Sequence, residues 1–185
     1  MDIIAISGKA RSGKDTIAKQ IKQLLEEQGE EVLIAHYGDF LKHICTQYYN
    51  WDGNKDKKGR TILQTVGQCF RDNHEDVWVN MMIDFIIGLG VTVDVVLIPD
   101  CRYLNEILKI SDEFAHCYKV RIDREDYDNG LTDEQKRHPS EIGLDNFDFD
   151  LYVKNGNISE EEFLNKAEKI VQLFNIYRGK TKTVI

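Results

Sequence analysis

Apolar positions in this chain switch repeatedly between short unbroken runs and a helical spacing. Residues 2–7 contain Ile3-Ile4-Ala5-Ile6, a run that predicts a strand buried on both faces. Ile17, Ala18, Ile21, Leu24 and Leu25 then recur at steps of three and four, predicting a helix over about 14–28 that Gly29 ends. Val32-Leu33-Ile34-Ala35 predicts a second strand, and Asp39 reads as the cap of a helix from Phe40 to about Tyr49. Residues 50–60 are polar and loop-like. Helices are expected over about 60–72 and 75–88, and Val93-Asp94-Val95-Val96-Leu97-Ile98 predicts a third strand. A helix at about 104–111 and a strand at 115–122 follow, then a charged segment and a short helix at 139–144. A last strand, Phe149 to Val153, and a last helix, 159–177, complete the pattern.

Five strands alternating with helices imply an α/β fold: a mainly parallel five-stranded sheet flanked by helices, with right-handed crossovers. With 185 residues the expectation is one domain over 1–185. Ligands in such folds bind beyond the carboxyl ends of the strands, so residues just past a strand deserve the first look.

Beyond the first strand lies Gly8-Lys9-Ala10-Arg11-Ser12-Gly13-Lys14-Asp15-Thr16. The spacing Gly8-x4-Gly13-Lys14 is that of a P-loop, which cradles the phosphates of ATP or GTP. Glycines at 8 and 13 let successive N–H groups, those of Ala10, Arg11 and Ser12 among them, converge on phosphate oxygens. The helix beginning at Lys14 points its positive dipole end at the same anion. Lys14 adds a point charge for the β- and γ-phosphates. Where the general motif has Ser or Thr after the lysine, this chain has Asp15, which is either a Mg²⁺ ligand or a first-turn carboxylate favouring the dipole. Thr16 reads as a phosphate contact.

The third strand ends in Pro99-Asp100, the place where a P-loop enzyme sets a second carboxylate for Mg²⁺ or the acceptor. Arg102 matches phosphate geometry with its planar fork, or else pairs with Glu106 one helical turn on. Asn105 sits between them. Asp39 and Lys42 fall at the mouth of the site, just past the second strand. Gln64, Gln68 and Arg71 lie at i, i+4 and i+7 and share a helix face, suited to an acceptor base and its phosphate. Trp51 and Phe70 read as packing residues, as does Trp78 by default, although Trp78 also stands among the substrate-binding candidates. Residues 124–139, with Arg124 and Arg137 as its catalytic candidates, read as a basic lid that excludes water and neutralises the transferring charge. His138 reads as the cap of the helix begun by Pro139.

The net charge of −8 argues against a nucleic-acid polymer or a membrane surface as partner. No apolar run approaches the ~20 residues that span a bilayer, and the N-terminus enters the first strand directly. Four widely spaced cysteines without a CxxC pair suit reduced thiols in the cytoplasm. A GTPase-like switch is disfavoured, because Asn54-Lys55-Asp56 lacks the spacing of a guanine-reading motif.

Together these blocks resemble the bacteriophage type of deoxynucleotide monophosphate kinase. The likeness rests on Ser7-Gly8-x-x-Arg11-Ser12-Gly13-Lys14-Asp15-Thr16, on Leu63-Gln64-x-x-Gly67-x-x-x-Arg71 followed by Trp78, on Asp100-x-Arg102-x-x-Asn105-Glu106, and on His138-x-Ser140-Glu141. The resemblance implies transfer of the γ-phosphate of ATP, with Mg²⁺, to a small-molecule nucleotide acceptor. It places Lys14 and Arg11 on the donor phosphates and Arg71 and Arg102 on the acceptor's 5′-phosphate, under the lid. It is compatible with a homodimer. The Ser-Gly-Lys-Asp ending also occurs in animal-type phosphomevalonate kinases, which would keep the fold and mechanism and change the acceptor. A nucleotide-binding regulator without phosphotransfer is the alternative from another class.

Overall fold

The computed structural model describes residues 1–124, 127–156 and 159–179. Residues 125 and 126 of the expected lid, and the chain from 180 onward, lie outside the described residues. Five strands form one sheet: β1 (Asp2–Ser7), β2 (Val32–Ile34), β3 (Val95–Cys101), β4 (Cys117–Arg124) and β5 (Leu151–Asn155). Their order is β2-β3-β1-β4-β5 and every pairing is parallel. All five carboxyl ends therefore open on one edge, which fixes where a ligand site can be.

The pleat sorts the first apolar run onto two faces. Ile4 and Ile6 pack with α1 (Lys14–Glu26) and α8 (Glu160–Tyr177), among them Ile17, Ile21, Ile170 and Phe174. Ile3 and Ala5 pack on the other face with α4 (Val77–Gly88) and α5 (Leu104–Glu113), through Val79, Met82, Ile107 and Ile110. α2 (Tyr37–Tyr48) and α3 (Lys57–Asn73) lean on that second layer around a smaller core of Cys45, Trp51 and Val66. Two short helices, α6 (Asp133–Lys136) and α7 (Pro139–Ile142), build the segment between β4 and β5.

Two of the boundaries that differ from those expected, the end of β3 and the start of α2, share one reason. β3 runs on through Pro99 to Cys101. Ala5 pairs with Ile98 but Ser7 pairs with Cys101, so β3 carries one extra residue there. Pro99 has no N–H for the ladder, and the resulting bulge re-aims Asp100. Both oxygens of Asp100 then meet the start of α2, accepting from the backbone N–H of Tyr37 (3.0 Å) and Gly38 (2.8 Å). A carboxylate 62 and 63 residues away thus serves the orphan amides of the helix. The helix begins at Tyr37, and Asp39 lies within its first turn instead of capping it. None of the described helices is long and apolar enough to cross a membrane.

Candidate active site

A cleft of ≈ 1100 Å³ opens at the carboxyl edge of the sheet, between the Gly8–Lys14 loop and the wall made by α2, α3 and the start of α5. Its loop side has the backbone of an anion cradle. Gly8 (φ 148°), Arg11 (φ 60°) and Gly13 (φ 96°) hold left-handed conformations. Glycine is required at both ends. A Cβ on Gly8 would lie 2.2 Å from the carbonyl of Ile122, and one on Gly13 would lie 2.6 Å from Nδ2 of Asn155. Asn155, at the end of β5, donates that Nδ2 to the carbonyl of Ser12 (2.7 Å) and so supports the loop from below. Arg121 braces the same corner from β4, reaching Ser7 Oγ (3.3 Å) and Asp145 (2.8 Å).

Lys14 is buried, and its ammonium donates to the carbonyl of Lys9 (2.7 Å) and Ser12 Oγ (3.4 Å). Burial lowers its pKa to about 7, helped by the neighbouring charge of Arg102, while Glu141, Asp15 and Asp100 pull it back up. The side chain is thus poised for an anion that would restore its charge. The exposed Asp15 faces His36 across 3.1 Å, and His36 Nδ1 lies 3.4 Å from Asp39. The hydrogen bond from His36 lowers the carboxyl pKa of Asp15 and raises that of the imidazole. Burial raises the carboxyl pKa of Asp100, against the two amides that stabilise its charge.

The opposite wall carries two arginines, each oriented by an acidic partner. Arg71 donates to Glu106 (2.9 Å) and to the carbonyl of Gly67 (3.2 Å), and its guanidinium stacks 3.7 Å from the centre of the Tyr103 ring. Glu106 is 2% exposed; its other oxygen accepts from the N–H groups of Arg102 (2.7 Å) and Tyr103 (3.1 Å). Burial pushes its pKa up, with Arg71 as the main opposing influence. Arg102 pairs with Glu141 (2.8 Å) and reaches the carbonyl of Ser140 (3.2 Å). Glu141 also accepts from the N–H of Ala10 (3.0 Å), joining the cradle to the arginine wall.

The residues singled out in the sequence divide accordingly. Ala10, Arg11, Lys14, Asp15, Asp39, Lys42, Gln64, Arg71, Trp78, Asp100, Arg102 and Glu106 all line the cleft. Gly8, Ser12 and Gly13 shape the cradle without lining the cleft, and Thr16, exposed in the first turn of α1, does not line it either. Trp78 is 2% exposed at the cleft floor, with its indole N–H on the carbonyl of Gly67 (3.2 Å) and its ring against Phe70, so it packs. Gln68 turns away toward Asp72 (2.8 Å), because 100° per residue sets it to one side of Gln64 and Arg71. Asn105 is spent on the α3–α4 connection, donating to the carbonyl of Glu75 (3.1 Å) and to Asp76 (3.0 Å). Arg102 pairs with Glu141, not with Glu106 as its neighbour in sequence would suggest.

The lid segment delivers Leu131 and His138 to the cleft, and α7 beyond it adds Ser140 and Glu141. Its two catalytic candidates do not line the cleft. Arg124 ends β4, donates from its guanidinium to the carbonyl of Arg11 in the cradle (3.5 Å) and stacks over Tyr127 (3.7 Å), and Arg137 is an exposed residue closing α6. His138 caps α7, its Nδ1 accepting from the N–H of Ser140 (3.2 Å). His36, Lys55, Arg60, Tyr103 and Glu141 also line the cleft. Of these only Glu141 stands in a recognisable motif; the others carry no local sequence signal.

The sheet order and the cradle define the class: this is an α/β protein with the fold of the P-loop kinases. The APS kinase CysC of Mycobacterium tuberculosis, in complex with AMPPNP and APS, is 18% identical with a TM-score of 0.57, over 94% of this chain and 97% of that one. A sugar kinase from Janibacter sp. HTCC2649 is 12% identical with a TM-score of 0.54, over 91% and 93%. At these identities the shared property is the fold. No protein-family model and no curated protein sequence matches the chain.

Proposed function

We propose that this protein transfers the γ-phosphate of ATP to a deoxynucleoside monophosphate. The observation that carries the reading is the facing pair of anion sites: the Lys14 cradle on one wall, and Arg71 and Arg102 on the other, each oriented by a carboxylate. Phosphoryl transfer asks mostly for positioning and charge stabilisation, and such a pair supplies both. Leu41, Leu63 and Gln64 add an apolar wall with one amide beside the arginines, which suits a nucleobase.

In this reading the cradle N–H groups and Lys14 hold the donor phosphates, and Arg71 and Arg102 hold the acceptor phosphate. An acceptor phosphate oxygen attacks the γ-phosphorus in line; the bond to the β-phosphate bridging oxygen breaks, and ADP leaves. No general base is needed, since the attacking oxygen is already anionic. Mg²⁺ is held mostly by phosphate oxygens and water with one or two carboxylates. Asp15 and Asp100 fit that demand, because each of Asp100's oxygens keeps a second acceptor position beyond its backbone amide. Bound there, the ion would supply charge neutralisation for the donor phosphates.

The test is binding at the second site. Calorimetry with AMPPNP present should detect a deoxynucleoside monophosphate, and Arg102→Ala should weaken it by about tenfold or more while AMPPNP affinity stays within threefold. Acceptor affinity unmoved by Arg102→Ala would remove this arginine from the acceptor site.

A further inference from the structure

The segment joining α2 to α3 is a built loop. Trp51 is 6% exposed and donates its indole N–H to the carbonyl of Asn54 (2.9 Å). Asp52 holds Asn54 by its backbone and side-chain nitrogens, both at 2.9 Å. Asp56 caps α3 through the N–H of Gly59 (2.7 Å). A Cβ on Gly59 would lie 1.9 Å from the carbonyl of Asn54, so the turn closes only on glycine. This fold-back carries Lys55 and Arg60 into the cleft. Arg60 is steadied by one bond, Nε to the carbonyl of Lys55 (3.0 Å), and no carboxylate pairs with its guanidinium among the described residues.

Three other cations of this wall are neutralised: Arg71 by Glu106, Arg102 by Glu141 and Lys42 by Asp39. The charged groups that act on Arg60 are Arg11 of the cradle, then Glu141 and Arg102. All four residues line the same cleft, where Glu141 joins Ala10 of the cradle to Arg102 of the opposite wall, so in the phosphotransfer reading Arg60 lies beside the path from donor to acceptor. Burial and the repulsion from Arg11 lower its pKa, which is what a partly desolvated cation awaiting an anion experiences. An arginine there stays charged at neutral pH and offers a planar fork to three equatorial oxygens.

We propose that Arg60 is a catalytic residue, contacting the phosphoryl group in transit and neutralising the charge that builds on it, with Lys55 adding charge beside it. It would fill the role that the sequence assigns to the lid arginines Arg124 and Arg137, which lie outside the cleft. The inference rests on the phosphotransfer reading above.

The experiment is steady-state kinetics of the full chain with Mg²⁺–ATP and the best deoxynucleotide acceptor, for wild type, Arg60→Ala and Arg60→Lys, with ATP binding and melting temperature measured in parallel. Arg60→Ala should lower kcat by at least about 10²-fold with ATP affinity and acceptor KM within threefold. Its melting temperature should fall by no more than a few degrees, because only the bond to the carbonyl of Lys55, and no ion pair, is lost. Arg60→Lys keeps the charge without the fork, removes the risk that the alanine variant misfolds, and should recover less than a tenth of the lost rate. A kcat within threefold of wild type in either variant, or a change confined to acceptor KM, overturns the catalytic role while leaving the phosphotransfer reading in place. A wild-type protein inactive on every deoxynucleotide overturns the phosphotransfer reading, and the role of Arg60 falls with it.

Discussion

Lys14→Met is expected to lower turnover by about 10³-fold while making the ligand-free protein more stable. The two effects have one cause. Lys14 is buried without a carboxylate partner, and its pKa falls from the ordinary lysine value to about 7. Between about 7 and 10.5 the unfolded chain binds a proton there that the folded chain does not, so the native state gains stability as pH rises through that window. Below it, folding forces a charged ammonium into a desolvated cradle. Removing the ammonium removes that cost, on the order of 1–3 kcal/mol, or a rise of a few degrees in melting temperature at pH 6–7. Donor phosphates reverse the balance by favouring the charged form. ATP binding at pH 8 should therefore take up close to one proton, visible as a dependence of binding enthalpy on buffer ionisation, and Lys14→Met should abolish the uptake. Near-native turnover in Lys14→Met would remove the cradle from catalysis, and a lower melting temperature would contradict the account of its burial.

Glu106→Ala should be among the most destabilising single changes in the chain. The carboxylate holds three donors at once: the Arg71 guanidinium and the N–H groups of Arg102 and Tyr103. Its loss strands a largely buried arginine and uncaps α5, which together cost about 3–5 kcal/mol, or about 6–20 °C in melting temperature. The acceptor site should suffer with the fold, because Arg71 loses its orienting partner. Glu106→Gln separates the two contributions. It preserves shape and part of the capping, so stability should recover more than acceptor KM does. A melting temperature within 2 °C of wild type for Glu106→Ala would mean that the pair is not the anchor its geometry describes.

The cradle was legible in the sequence because its parts are contiguous. A strand, two glycines, a lysine and a helix within fifteen residues leave little freedom in how they fold. The alternation of strands and helices was equally local. What escaped was set by long-range partners. Glu106 takes Arg71 from 35 residues away, leaving Arg102 to Glu141, 39 residues away. Asp100 moves the start of α2 by meeting its amides from β3, and no periodicity within α2 reports that. Residues 50–60 look like a solvated loop because their composition is polar; the fold-back on Trp51 and Gly59 that aims Lys55 and Arg60 inward is a tertiary fact. The lid arginines show the converse. Charge run and position suggested them, but neither lines the cleft: Arg124 reaches the backbone of the cradle at Arg11 and stacks over Tyr127, and Arg137 closes a short helix at the surface.

The most direct test of the central claim is a coupled ADP-release assay with Mg²⁺–ATP against dGMP, dTMP, dCMP, dAMP, their ribose counterparts and phosphomevalonate. Turnover of one or more deoxynucleoside monophosphates to the diphosphate, lost in Lys14→Met, is the result predicted. Turnover of phosphomevalonate alone, or tight ATP binding with no turnover of any acceptor, would contradict it.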